Sequence, residues 1–306
     1  MRIVVALGGN ALLKRGEAPD ASVQRRHVAV AADAIAALAR EHTVIVTHGN
    51  GPQVGLLALQ AETCRDVDPY PLDMLGAESE GLIGYMIEQE LASRLPGRQI
   101  ATLLTQVEVY PGDPAFGAPD KPIGPVYDQA TAERVAKQRG WTVAPDGAHF
   151  RRVVASPRPR RILELPTIRL LVDANVVTIC SGGGGIPVVI DDAGAIRGVE
   201  AVIDKDLSAA LLAEGLGADR LLLLTDVPAV YRDWPRSAEQ IRSSPPALLQ
   251  PRHFAPGSMR PKIEAACSFV IRTGGIAGIG ALGDAAGLLA GHTGTTIAAG
   301  APFLMA

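Results

Sequence analysis

The chain has 306 residues, enough for one large α/β domain or two lobes around a sizeable core. Its 29 basic and 32 acidic residues leave a formal charge of −3, and only 4% of residues are aromatic, so it carries neither the basic footprint of a nucleic-acid or membrane-surface protein nor a platform for stacked bases. The widely spaced Cys64, Cys180 and Cys267 form no C-x-x-C pair and read as reduced thiols of a cytosolic protein, not as a disulfide framework or zinc site.

Taken in chain order, Ile3 to Leu7 is a β-branched run that predicts a buried strand breaking into Gly8-Gly9-Asn10. The glycines, with Lys14-Arg15 behind them, argue against a signal peptide, and no later apolar run approaches the roughly 18 residues of a membrane span. Val23, His27, Val30, Ala31, Ala34, Ile35 and Leu38 recur at helical steps and predict a helix over 22–40. A strand over 43–47 then breaks into His48-Gly49-Asn50-Gly51 and feeds a helix from near Pro52; a further helix is expected over 78–95 and a strand over 100–104.

From about 110 to 166 the texture changes to scattered prolines and a basic cluster at Arg151-Arg152 and Arg158 to Arg161, which predicts an excursion from the sheet, a small lid or subdomain. Alternation resumes with a helix over 166–174 and a strand over 176–180 that breaks into Ser181-Gly182-Gly183-Gly184-Gly185. A hairpin signal follows at Asp191 to Gly194, then a helix over 206–215, a strand over 220–224, a proline-rich surface loop over 233–251, a helix over 259–271 and a glycine-rich close. This alternation predicts a largely parallel sheet covered by helices on both faces.

Three strand-to-glycine junctions suggest a common ligand. Glycine lets backbone N–H groups face a ligand, and loops at the carboxyl ends of parallel strands are where α/β sheets hold anions. Lys205 lies at a helix start and Lys262 in the first turn of another helix, with Ser258 as its expected N-cap. A cation there opposes the macrodipole by about 0.3–1 kcal/mol, which makes sense if an anion sits between the two. Asp204 and Asp206 flank Lys205; each either orients it or favours the helix N-terminus as acids do, and for Asp206 the helix-terminal role is the expectation. Gly278 to Gly283 fits G-x-G-x-x-G but has no room for a complete βαβ unit, no phosphate-binding G-x-x-x-x-G-K-[ST] occurs, and the histidines form no metal-ligand set. His48, beside Gly49, is open to a structural or a catalytic role.

Ala6-Leu7-Gly8-Gly9-Asn10, Thr47 to Gly55, Asp113 to Phe116, Lys121-Pro122-Ile123-Gly124-Pro125, Arg151 to Val154, Gly182 to Pro187, Val202 to Asp206, Leu224 to Val227, Gly257-Ser258-Met259 with Pro261-Lys262, and the closing Gly294-Thr295 together resemble carbamate kinases, of the amino-acid kinase family. The resemblance implies an open αβα sandwich with a largely parallel central sheet and a small protruding subdomain, over 1–306 as a single domain. Its acceptor lobe would span 1–195, including the excursion, and its nucleotide lobe 196–306. It also implies a homodimer that transfers a phosphoryl group reversibly between ATP and carbamate, working in many bacteria toward ATP, with Mg2+ brought in by the nucleotide.

By the same resemblance Lys205 and Lys262 would neutralise the phosphoryl group in flight, Asp204 would hold Lys205, and Lys121 would reach over the site. Gly8, Gly9, Asn10, Gly49, Asn50 and Gly51 would cradle substrate and phosphate, Gly182, Gly183 and Gly184 would border the acceptor, and Thr225, Asp226, Val227, Tyr231 and Met259 would hold the nucleotide. Ala6 stands where most amino-acid kinases have lysine, as in carbamate kinases. Departures are Glu80 for a usual glutamine, Asp120 for threonine, Ala155 for proline and Arg260 for a small residue. The alternatives are a related kinase for another small carboxylate, phosphonate or phosphate, and a non-catalytic nucleotide-binding regulator, which would be expected to have lost a lysine or a glycine loop.

Overall fold

A computed structural model of the chain describes residues 1–9, 12, 13, 17, 18, 20–61, 68–255 and 257–306. Asn10 and Cys64 lie outside the described residues. Strand β1 (Arg2–Leu7) leads through α1 (Ala21–Ala39) to β2 (Thr43–His48), α2 (Gly51–Ala61), α3 (Leu72–Arg94) and β3 (Ile100–Thr102). After β4 (Gln106–Val109) come β5 (Lys121–Tyr127), α4 (Gln129–Arg139), β6 (Val143–Asp146), β7 (His149–Val154), β8 (Pro159–Ile162), α5 (Leu165–Asp173) and β9 (Val177–Ile179). The remainder is β10 (Ile186–Ile190), β11 (Ile196–Gly198), α6 (Lys205–Leu216), β12 (Arg220–Thr225), β13 (Val230–Tyr231), β14 (Gln240–Ser244), α7 (Met259–Thr273), β15 (Ile276–Ala281), α8 (Ala285–Leu289), β16 (Thr295–Ile297) and β17 (Leu304–Met305).

The central sheet runs β13-β14-β16-β15-β12-β1-β2-β9-β3, with β17 on β14. From β15 to β3 every pairing is parallel. Period-two geometry sends alternate residues of β1 to opposite faces. Val4 and Ala6 join the core formed with α5, α6 and α7, while Ile3, Val5 and Leu7 join the core formed with α1, α3 and α8. Burial on both faces is why these strands are unbroken apolar runs. The result is the αβα sandwich expected from the sequence.

The excursion divides into two small sheets. Residues 121–154 form the sheet β5-β7-β6 with α4, whose Asp128 side chain accepts from Thr131 N and whose end at Gly140 is left-handed. Strand β8 instead pairs with β4, which continues through β10 to the hairpin partner β11. One expectation needs correction: the loop 233–251 contains β14, a strand of the central sheet. The glycine-rich close, given no element from sequence, contains β15, which pairs with β12 along its whole length. No helix among the described residues is long and apolar enough to cross a membrane.

Candidate active site

The chain steps outward from β1 in both directions, to β2 and β9 on one side and to β12 and β15 on the other. Ligands of open α/β sheets bind at such a switch point, beyond the carboxyl ends of the strands. There the three ends are tied together: Gly8 N donates to Leu224 O, and Gly49 N to Leu7 O, each at 2.9 Å. Above them opens a cleft of about 850 Å³, roofed by Lys121, Ile123 and Arg151 of the subdomain.

The floor carries the charge. Lys205 is the first residue of α6, only 8% exposed, and its Nζ donates to Asp206 Oδ1 at 2.6 Å. From the first turn of α7, Lys262 Nζ donates to Asp206 Oδ2 at 2.9 Å. Burial depresses the Lys205 pKa, with the Lys262 charge adding to it against the pull of Asp206. Burial acts the same way on Lys262, but the charge and hydrogen bond of Asp206 outweigh it and leave its pKa raised. Burial alone would raise Asp206; the two ammonium groups hold it well below the usual carboxylate range.

This arrangement corrects the expected role of Asp204. Its Oδ1 is taken by the N-cap of α6, accepting from Asp206 N at 2.9 Å and Leu207 N at 3.3 Å. Its Oδ2 accepts from Lys121 Nζ at 2.5 Å, which ties the subdomain to the floor. Asp206, read from sequence as a helix-terminal acid, is therefore the residue that holds Lys205, and Lys262 with it. Ser258 occupies the N-cap position of α7 but makes no side-chain cap.

Gly8, Gly9, Gly49, Asn50, Gly51 and Gly183 line the cleft, as do Thr225, Asp226, Val227, Tyr231 and Met259. Gly182 and Gly184 do not: Gly182 turns its amide to Glu80 Oε1 at 2.7 Å, and Gly184 packs against the backbone of Ile203. His48 lies beneath the cleft, fully buried and held neutral near a pKa of about 4, chiefly by burial. Its Nδ1 donates to Gly49 O at 3.2 Å. Sequence reasoning missed Arg151 and the far end of the cleft, where Trp234 stands 5.3 Å from Tyr231, ring to ring, beside Arg232, His253 and Phe254. The signal there was an aromatic next to prolines in a segment read as surface loop. Arg260 donates from Nε to Phe254 O at 3.3 Å, bracing that end from outside the cleft.

The arrangement suits transfer of a phosphoryl group: fixed cations on the floor, backbone amides at the strand ends, and a cationic roof. Comparison with known proteins agrees. The amino acid kinase family matches residues 1–279. The carbamate kinase of Rhizobium meliloti (strain 1021) is 53% identical, over 97% of this chain and 93% of its own. The structure of carbamate kinase from Giardia lamblia bound to citric acid superimposes with a TM-score of 0.91 at 40% identity, covering 97% of this chain and 98% of its own. The same enzyme bound to AMP-PNP gives 0.87 at 39%, with the same coverage. The chain belongs to the amino acid kinase family and stands within it among the carbamate kinases.

Proposed function

We propose that the protein transfers a phosphoryl group reversibly between ATP and carbamate, and that it works toward ATP from carbamoyl phosphate and ADP. In that direction an oxygen of the ADP β-phosphate attacks phosphorus, the bond from phosphorus to the carbamate oxygen breaks, and carbamate leaves with the electron pair. Such transfer is catalysed almost wholly by positioning and charge. The observation that carries the reading is the pair Lys205 and Lys262 fixed on one carboxylate at the meeting point of the glycine junctions.

Lys205 and Lys262 neutralise the phosphoryl oxygens in a buried setting, where a charge acts more strongly than in water. Lys121, carried over the site by β5, meets the acceptor, and Gly8, Gly49 and Gly183 present their backbone to the substrate. The lobe 1–195 takes the acceptor and the lobe 196–306 the nucleotide. Tyr231, Trp234 and Phe254 give the nucleotide end an aromatic wall. The AMP-PNP complex of the Giardia relative supports nucleotide binding in this fold.

Among the described residues no group of three or more His, Cys, Asp or Glu could hold a metal ion. We propose Mg2+ as the companion of the nucleotide, where phosphate oxygens would be its main ligands. Bound there, it offsets charge on the β- and γ-phosphates. A homodimer is proposed from the family resemblance, and a cytosolic setting accords with the buried free thiols of Cys180 and Cys267.

The test is ATP formation from ADP and carbamoyl phosphate with Mg2+. The wild type is expected to be active, and Lys205→Ala and Lys262→Ala to lose activity by about 10²-fold or more. A folded wild type that binds ADP but makes no ATP would rule the acceptor out.

A further inference from the structure

Helix α3 carries two adjacent buried polar residues, Ser79 and Glu80, and each reaches a different glycine junction. The Ser79 hydroxyl accepts from Asn50 Nδ2 at 2.8 Å and donates to Gly76 O at 2.8 Å, holding the junction after β2. Glu80 faces the junction after β9. Its Oε1 accepts from Gly182 N at 2.7 Å and its Oε2 from Thr105 N at 3.2 Å. The same Thr105 accepts at Oγ1 from Ser181 N at 2.9 Å, and Thr47 Oγ1 donates to Ser181 O at 2.7 Å. One carboxyl group thus joins the turn after β9 to the segment after β3.

Gly182 has no room for a side chain, because a Cβ there would overlap the His48 ring and crowd the Glu80 side chain. Glu80 is 1% exposed and lies outside the cleft lining, whereas Gly183, next along the turn, is part of that lining. Glu80 therefore acts on substrate without touching it, by holding this backbone and by the charge it carries or lacks.

We propose that Glu80 is a positioning residue for the anionic acceptor, that it holds the Gly182-Gly183 turn as the neutral acid, and that losing its proton weakens acceptor binding. The inference rests on the carbamoyl phosphate reading above.

The surroundings favour the neutral acid. Among the described residues, the ionisable groups facing Glu80 are the neutral His48 of β2, the Cys180 thiol after β9, whose pKa burial drives upward, and the Glu164 carboxyl before α5. None is a cation, and the nearby Lys205, felt by His48, is engaged by Asp206. Burial first, against the Thr105 and Gly182 amides and the Thr105 hydroxyl and with Glu164 adding repulsion, pushes the Glu80 pKa up to about 8. Ionisation would place a negative charge, opposed by amides but by no cation, behind Gly183 and against an acceptor that is itself an anion.

The experiment measures kcat and KM for carbamoyl phosphate at saturating ADP from about pH 6 to about pH 9, in the wild type, Glu80→Gln and Glu164→Gln. Wild-type KM is expected to rise by up to about tenfold per pH unit above the Glu80 pKa, whereas Glu80→Gln lacks that rise and keeps kcat within about twofold. Glu164→Gln removes a repulsion that favours the proton, so its KM rise begins at lower pH; this variant also serves if Glu80→Gln does not fold. Superimposed wild-type and Glu80→Gln profiles, or a Glu164→Gln profile that does not move, would overturn the proposal while leaving the substrate assignment intact. A folded wild type inactive with carbamoyl phosphate would overturn both.

Discussion

Lys205 and Lys262, in the first turns of separate helices, share one carboxylate: Asp206 accepts at 2.6 Å from the first and at 2.9 Å from the second. Each ammonium group sits where burial, its neighbour's charge and a helix N-terminus all disfavour it. One aspartate compensates one of two positive charges, so the trio keeps a net charge of about +1, which a phosphoryl group can complete.

Asp206→Asn is therefore expected to damage both stability and turnover. Breaking a buried ion pair by removing one partner costs about 3–5 kcal/mol, because the partner charge stays buried. Urea unfolding should show a loss on that scale, and kcat should fall by about 10²-fold as the lysines move apart. A folded variant with kcat within tenfold of wild type would mean that the lysines are placed by their helices alone.

Asp204 has two separable jobs, and two substitutions divide them. Asparagine keeps an oxygen for the amides of Asp206 and Leu207, whereas alanine removes the cap and is expected to lower stability by about 1 kcal/mol more. Both substitutions remove the carboxylate partner of Lys121. KM for carbamoyl phosphate should therefore rise in both variants by a similar factor, with the melting temperature lowered further in the alanine variant. Equal melting temperatures would deny the cap its role.

The roof depends on a contact between two glycines. Gly55 of α2 meets Gly124 of β5 so closely that a Cβ on Gly55 would overlap the Gly124 backbone, and the same strand carries Lys121. Gly55→Ala must push β5 away from the cleft. A displacement of about 1 Å can reduce catalysis about 10²-fold, so kcat/KM for carbamoyl phosphate should fall on that scale. ADP, which the proposed reading puts at the opposite end, should keep its affinity in calorimetry. Unchanged kinetics would show that the subdomain is not needed over the site.

How far the sequence discloses this architecture depends on which interactions are local. The strands at β1, β2 and β9 are legible because burial on both faces demands unbroken apolar runs, and their glycine ends mark the site. Strand β15, Ile276–Ala281, is obscured by its glycines; a Cβ on Gly278 would crowd Leu288 and Leu222, so close packing, not a nucleotide, accounts for that glycine. The two acids beside Lys205 look equivalent in sequence. At the N-cap, Asp204 bends back onto the first amides of α6, which leaves Lys205 to Asp206, a choice fixed by the helix boundary. Of the aromatic end of the cleft only Tyr231 is legible, because the proline-rich segment that carries Trp234 is brought beside it by the fold.

His48 and Glu80 flank Gly182 and impose opposite pH slopes on stability. His48 has its pKa lowered from 6.5 to about 4, first by burial, with the Lys205 charge adding and the Gly49 carbonyl opposing. Below about pH 6.5 the unfolded chain takes up a proton that the folded protein refuses, so this contribution is lost as pH falls to about 4. Glu80 is raised from 4.5 to about 8, so the folded protein keeps a proton that the unfolded chain has released. Its contribution is complete below about pH 4.5 and is lost as pH rises to about 8. Each slope is about 1.4 kcal/mol per pH unit, and between about pH 4.5 and 6.5 they cancel. Urea unfolding across this range should find Glu80→Gln gaining on the wild type steadily as pH rises toward about 8. A stability difference between Glu80→Gln and wild type that stays constant with pH would show that the buried carboxyl does not hold its proton in the folded protein.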